Sequence, residues 1–296
     1  MMVAGLNRQF IRSINLQNRK FMRKNSKNIF TSVASLCRMS IGKSSAVLFK
    51  NFTTNLDESL DFSVNFAENG INFTKKDFKK LKVRQHVNPL SETYQKRVQL
   101  DPNWLEKIFV RSEQNIVIDV GCAKGTWMLK NALENKDKNY LGLEIRRPVV
   151  DYCNERAIQW NIHNAHCMAA NANIDLPLIL KDLMMKGVPI DMVTIHHPDP
   201  HFKKKHKKRR VVTPEIVSEI GHILNSDCPV FMQSDIKEVA MEMAQTFLDD
   251  PLFVSAEGYD PNRLAENPSP HAIMTEREIA TLRKGLNVYR MLVKRV

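Results

Sequence analysis

The sequence predicts an α/β fold: a three-layer sandwich with a mostly parallel seven-stranded sheet between helices. Three observations carry this. Short apolar runs alternate with helix-like segments five times from Asn115 onward, two strand-like runs follow near the C-terminus, and 43% of the residues are hydrophobic, enough for a sizeable core. Repeated strand-then-helix units require parallel strands covered on both faces.

The elements follow in order. Asn115–Asp119 is a short apolar strand, Gly121–Gly125 a turn, and Thr126–Glu134 a helix. Tyr140–Glu144 is the second strand, followed by a helix from Pro148 to Trp160, with proline at a tolerated first-turn position. Ala165–Met168 is a weak third strand before a helix at Leu176–Met185. Ile190–Ile195 is the fourth strand, and Pro214–Leu224 the next helix. Pro229–Gln233 is the fifth strand, leading into a helix at Ile236–Phe247, and Leu252–Ser255 with Asn287–Val293 forms a closing antiparallel pair.

Charge divides the chain before this core begins. Residues 1–56 hold ten of the 44 Lys and Arg and no acid, so 34 basic residues face 32 acidic ones in the remainder, and most of the +12 net charge belongs to the leader. On a helix of 100° per residue Arg8, Arg12, Arg19 and Arg23 share one arc, opposite Val3, Leu6, Phe10, Ile14 and Phe21. An acid-free, Arg-rich amphipathic start reads as a transit peptide for a mitochondrion or plastid. The alternative is a basic tail that touches RNA, on a cytoplasmic or nuclear protein. Residues 57–100, polar and Lys-rich, form an arm or short helix ahead of a domain spanning 101–296. No apolar run is long enough to span a bilayer. The five cysteines lack a CxxC pair and the histidines lack HExxH spacing, so neither a disulfide framework nor a metal site is expected.

In such a sheet, ligands bind beyond the carboxyl ends of the strands where strand order reverses. Asp119-Val-Gly-Cys-Ala-Lys-Gly125 supplies a tight turn there, and Glu144 ends the second strand 25 residues after Asp119, placed to accept both hydroxyls of a ribose. A dinucleotide site would want glycine where Ala123 and Thr126 stand, so a nucleoside cofactor of another kind fits better. After the fourth strand, Asp199 sits between two prolines that restrict its backbone, and seven of residues 201–210 are Lys or Arg. A basic run alone would read as a solvated loop or localisation signal; joined to a constrained acid at this end of the sheet, it reads as a grip on several phosphates of one nucleic-acid strand.

His197-Pro-Asp-Pro-His-Phe-Lys-Lys-Lys-His-Lys-Lys-Arg-Arg210 resembles the FPDPW(H)xKxxHxKRR signature of the tRNA (guanine(46)-N(7))-methyltransferase family. Arg84-Gln-His-Val-Asn-Pro-Leu90 is similar to the RQHVNP-type segment of its cyanobacterial, plastid and eukaryotic members, Ser234-Asp235 to its Thr-Asp pair and Thr275-Glu-Arg-Glu278 to its TxxE motif. The resemblance spans residues 80–296. It implies a class I, Rossmann-like methyltransferase domain with S-adenosyl-L-methionine at Asp119, Gly121, Glu144, Arg146, Asn171 and Ala172. It implies Asp199 as the catalytic residue and substrate contacts at Lys203, Asp235, Thr275 and Glu278. The expected partner is tRNA, with no membrane and no metal; the enzyme acts alone as monomer or homodimer, a non-catalytic subunit being the alternative. Three positions depart from the family: Ala123 for a glycine, Asn171 for the Asp of some members, and Val239 for a common Tyr. Two other readings remain. One is a methyltransferase on another nucleic acid or a small molecule. The other is a non-catalytic RNA-binding relative, against which the intact Asp119, Glu144, Asp199 and Asp235 argue.

Overall fold

A computed structural model describes residues 83, 84, 86–201 and 204–296. The leader, most of the arm and Lys203 lie outside the described residues. The strands are β1 (Ile116–Val120), β2 (Asn139–Glu144), β3 (Ala165–Ala169), β4 (Ile190–His196), β5 (Pro229–Ser234), β6 (Phe253–Ser255) and β7 (Tyr289–Arg295). The helices are α1 (Trp104–Ile108), α2 (Thr126–Glu134), α3 (Arg147–Gln159), α4 (Ala172–Met185), α5 (Pro214–Ile223), α6 (Lys237–Leu248) and α7 (Glu276–Arg283).

The strand order is β3-β2-β1-β4-β5-β7-β6. β1 to β5 pair in parallel, and β7 runs antiparallel between β5 and β6. All five residues of β1 are buried, as a strand covered on both faces requires. Alternation divides its side chains. Ile116, Ile118 and Val120 join one core with Leu176, Ile179, Val217 and Phe247 from α4, α5 and α6. Asp119 points to the other face, where Thr194 of β4 meets it. Strand order reverses between β1 and β4, which makes their carboxyl ends the natural ligand site.

The elements differ from the expectation in three places. Helix α4 begins at Ala172, four residues before the predicted start, although Pro177 lies inside it. Asn171 caps it, accepting from Asn173 N, and Asp175 Oδ2 accepts from Asn171 N at 2.8 Å, so the first turn is secured without the proline. The short α1 is held by Trp104 Nε1 donating to Asp182 Oδ2 at 2.6 Å. The TxxE motif starts α7: Thr275 Oγ1 accepts from Glu278 N while Glu278 accepts from Thr275 N, a capping box.

Candidate active site

The turn after β1 is held open by backbone geometry. Gly121, Ala123 and Gly125 have φ of +75°, +49° and +67°. Gly125 has a second reason to be glycine, since a Cβ there would lie 2.2 Å from Cys153 Sγ. Ala123 takes a left-handed conformation that costs a side chain on the order of 1 kcal/mol. Arg156, stacked 4.2 Å over Trp160, donates from Nη1 to Lys124 O and Thr126 Oγ1 and fixes the far side of the turn. Cys122 of the turn and Cys167 of β3 have their Sγ atoms 3.2 Å apart as free thiols, so cysteines scattered in sequence converge in space.

Two acids face this turn. Asp119 Oδ1 accepts from Thr194 Oγ1 at 3.2 Å, and burial, helped by the nearby charge of Glu144, pushes its pKa up to about 7 against the stabilising hydrogen bond. Glu144, at the end of β2, accepts at Oε1 from Arg146 N and Nε and at Oε2 from Arg146 Nη2, each at 2.9 Å. The pairing holds the Arg146 pKa above its usual value. A buried carboxyl beside a strand-terminal carboxylate favours a cationic ligand with vicinal hydroxyls. S-adenosylmethionine carries a sulfonium, an ammonium and a ribose, so the residues present fit it. For Glu144 to accept ribose hydroxyls, Arg146 must share or release it. Glu144→Ala is expected to weaken S-adenosylmethionine binding by about 1.5–3 kcal/mol, read by calorimetry, through loss of charge-assisted hydrogen bonds.

Asp119 also makes a prediction for stability. With its pKa raised from 3.8 to about 7, the folded chain holds a proton between those values that the unfolded chain has lost. Stability therefore falls as pH rises from about 4 to 7, and the full cost persists above 7. Asp119→Asn keeps an acceptor for Thr194 and removes that cost, up to about 4 kcal/mol. Thermal unfolding at pH 8 should shift upward in this variant, with a much smaller shift at pH 4, while S-adenosylmethionine affinity falls. An equal shift at both values would rule out the buried charge as the cause.

Asn171 and Ala172 lie just past the carboxyl end of β3. The Asn171 side chain has another use: its Nδ2 donates to Pro89 O at 3.0 Å and Tyr94 O at 2.9 Å, while Oδ1 caps α4. It therefore fastens residues 86–95 across this end of the sheet.

Asp199 follows β4 between Pro198 and Pro200, with left-handed His197 (φ +48°) and His201 (φ +42°) on either side. Its side chain is 43% exposed and accepts at Oδ1 from His86 Nδ1 at 2.8 Å. No sequence pattern linked these two residues, 113 positions apart. His197 Nδ1 lies 3.4 Å from Asp235 Oδ1, and Arg277 binds Asp235 Oδ2 from Nε and Nη2. Burial would raise the Asp235 pKa, but the hydrogen bond and charge of Arg277 outweigh it and hold it low. Burial keeps His197 below its ordinary pKa.

Thr275 and Glu278, where the resemblance implies substrate contacts, are taken up by the start of α7. Glu278 is 2% exposed and binds Arg290 Nη2 at 2.6 Å as well as Gln233 Nε2 at 3.4 Å. They brace the β5 end from behind, with Gln233 passing the brace to His196 at 3.0 Å. Their direct contact with a substrate would require this network to open. Val239 lines a cleft beside Asp199 with Val212, Arg210 and Glu242.

The basic run forms a 3-10 helix at Lys204–Arg209. Arg210 pairs with Glu242 on α6 and donates from Nε to Pro200 O at 2.9 Å, anchoring the run to the backbone beside Asp199. Lys207 also reaches Glu242, at 3.4 Å. Among the described residues no cluster of three or more His, Cys, Asp or Glu could hold a metal, and no helix is long and apolar enough to cross a membrane.

Comparison with known proteins places this arrangement. Residues 113–291 match a family model described as a putative methyltransferase. The tRNA (guanine-N(7)-)-methyltransferase of Thermosynechococcus vestitus is 42% identical over 210 residues, which cover 71% of this chain and 93% of that protein. Its counterpart in Synechococcus elongatus is 42% identical over 213 residues, 72% and 96% of the two chains. That of Synechocystis is 37% identical over 218 residues, 73% and 98%. The region matched by the family model takes in the Gly121–Gly125 turn, Asp119, Glu144, Asp199 and the basic run, and on the similarity to these relatives the chain belongs to the tRNA (guanine-N(7)-)-methyltransferase family.

Proposed function

We propose that this protein transfers a methyl group from S-adenosylmethionine to N7 of guanine 46 in the variable loop of tRNA. The observation that carries the reading is the continuity of Asp199 with the basic run: one peptide segment leaves the cofactor end of β4, presents the acid, and becomes a cationic 3-10 helix tied down by Arg210. Bound S-adenosylmethionine supplies an electrophilic methyl on its sulfonium. Guanine N7 carries a free lone pair, so no proton has to leave before it attacks. The chain's work is to draw the base out of its stack, hold N7 in line with the methyl and exclude competing orientations. Asp199 binds the base edge and stabilises the positive charge that develops on the purine. Asp235, fixed by Arg277 and His197, completes the substrate side together with Lys203, whose role rests on the family resemblance alone.

The test is transfer of labelled methyl from S-adenosylmethionine to unmodified tRNA, set against rRNA fragments, DNA and guanosine. Incorporation into tRNA alone supports the reading. Preference for another acceptor makes the protein a methyltransferase of different specificity, and absence of transfer to any of them makes it a non-catalytic RNA-binding relative. For the leader, we propose removal on import into a mitochondrion or plastid, on its acid-free amphipathic composition. Sequencing the N-terminus of the mature protein tests this, and a cytosolic protein beginning at Met1 refutes it.

A further inference from the structure

We infer that His86 is a positioning residue for Asp199, delivered to the active site by the segment 86–95 acting as a strap across the cofactor end of the sheet. The inference rests on the methyltransferase reading of the site. Ionised Asp199 can only accept, so the 2.8 Å contact requires the proton on His86 Nδ1. Among the described residues, His86 is the one side chain hydrogen-bonded to Asp199.

The strap is tied down at several points despite having little regular structure. Asn171, 4% exposed, gives both Nδ2 protons to the Pro89 and Tyr94 carbonyls. Gln95 Nε2 closes the loop on Pro89 O at 2.7 Å. Ser91 N and Oγ both donate to Asn88 O. Asp175, 1% exposed, accepts from Val98 N through one oxygen and from Asn171 N through the other. Two buried polar side chains at the start of α4 are thus committed to holding this segment in place, and His86 lies just ahead of its Asn88 turn.

The contact meets a specific need. Asp199 is half exposed on a loop, and a carboxylate free to rotate in water would present its charge to the purine for only part of the time. A hydrogen bond at Oδ1 fixes the carboxylate plane and leaves Oδ2 to the base. Misplacement of a reacting group by about 1 Å costs on the order of a hundredfold in rate.

Three variants of the full chain test this: His86→Ala, His86→Asn, whose Nδ2 can replace the Nδ1 donor, and Asp199→Asn. The expected result for His86→Ala is a kcat for tRNA methylation lower by about 10–100-fold, with S-adenosylmethionine affinity and Tm unchanged and most of the activity restored by His86→Asn. Unchanged or increased kcat in His86→Ala overturns the inference. Parallel loss of cofactor affinity and Tm, or failure of His86→Asn to recover activity, also overturns it by assigning His86 to folding of the strap. A second readout does not depend on turnover: ring 15N shifts of His86 should report Nδ1 protonation in the wild type and change in Asp199→Asn. Identical shifts in the two proteins overturn the contact. If the wild type methylates no tRNA, the functional reading fails, and the 15N comparison still decides whether His86 holds Asp199.

Discussion

Replacing Asp199 with alanine is expected to lower tRNA methylation by about 10²–10³-fold, the usual cost of removing one preorganised electrostatic group from a reaction centre, with S-adenosylmethionine binding within about twofold of wild type. The two effects separate because the acid and the cofactor residues stand on different strands. Asp199 follows β4, whereas the turn at Gly121 follows β1 and Glu144 ends β2. Folding should also be unaffected, since Asp199 is half exposed and its one described hydrogen bond is to an exposed histidine. Single-turnover methylation with saturating cofactor, alongside calorimetric titration of S-adenosylmethionine, measures both quantities. Near-normal turnover would remove Asp199 from the reaction, and a matching loss of cofactor affinity would assign it to the wrong side of the site.

The second large effect is expected from the basic run. Converting Lys204, Lys205, Lys207 and Lys208 together to serine should flatten the dependence of log tRNA affinity on log salt by about 0.7–0.9 for each phosphate that is no longer neutralised. At low salt, affinity should fall by at least about a hundredfold if most of the four engage phosphates. Arg210 is left in place because its pairing with Glu242 and Pro200 O shapes the loop, and its loss would confuse binding with folding. Lys203 is left because the family resemblance places it beside the reacting base. Cofactor affinity should not change. Filter binding at several salt concentrations gives the slope directly. An unchanged slope and affinity would make these lysines a solvated face and send the search for the RNA path to residues 75–97.

Much of this could be read from the chain because the information was local. β1, β2 and β4 are apolar runs closed by Gly, Pro or an acid, and a strand buried on both faces leaves that pattern in sequence. Asp199 and the cationic run are adjacent residues, so their conjunction needed no tertiary knowledge. The interactions that escaped are long-range or reuse a familiar residue. Asn171 is one of the positions at which the resemblance implies S-adenosylmethionine, and it lies just past the end of β3. Its amide, however, caps α4 and ties the strap, which depends on where residues 89 and 94 pass. Thr275 and Glu278 matched a family motif, yet that spacing is also a capping box, and a half-buried Arg290 from β7 turns Glu278 into a brace. The start of α4 lies earlier than the pattern suggests because the Asn171 cap and its bond to Asp175 secure a first turn ahead of Pro177. Cys122, on the turn after β1, and Cys167 of β3 come together only because β2 pairs with both β1 and β3, which the spacing of cysteines along the chain does not reveal.

The central claim, that the acid and the basic run serve one reaction at one atom, is tested most directly by mapping the methylated nucleoside. The full-length protein, unmodified tRNA and S-adenosylmethionine should yield 7-methylguanosine at a single position, guanine 46, detected by nuclease digestion with mass spectrometry and by strand scission specific for N7-methylated guanine. Asp199→Ala is expected to form this product about 10²–10³-fold more slowly, and the four-lysine variant to recover it at raised tRNA concentration. Methyl groups found on a different atom, at several guanines without preference, or still at guanine 46 at full rate in Asp199→Ala would contradict the claim.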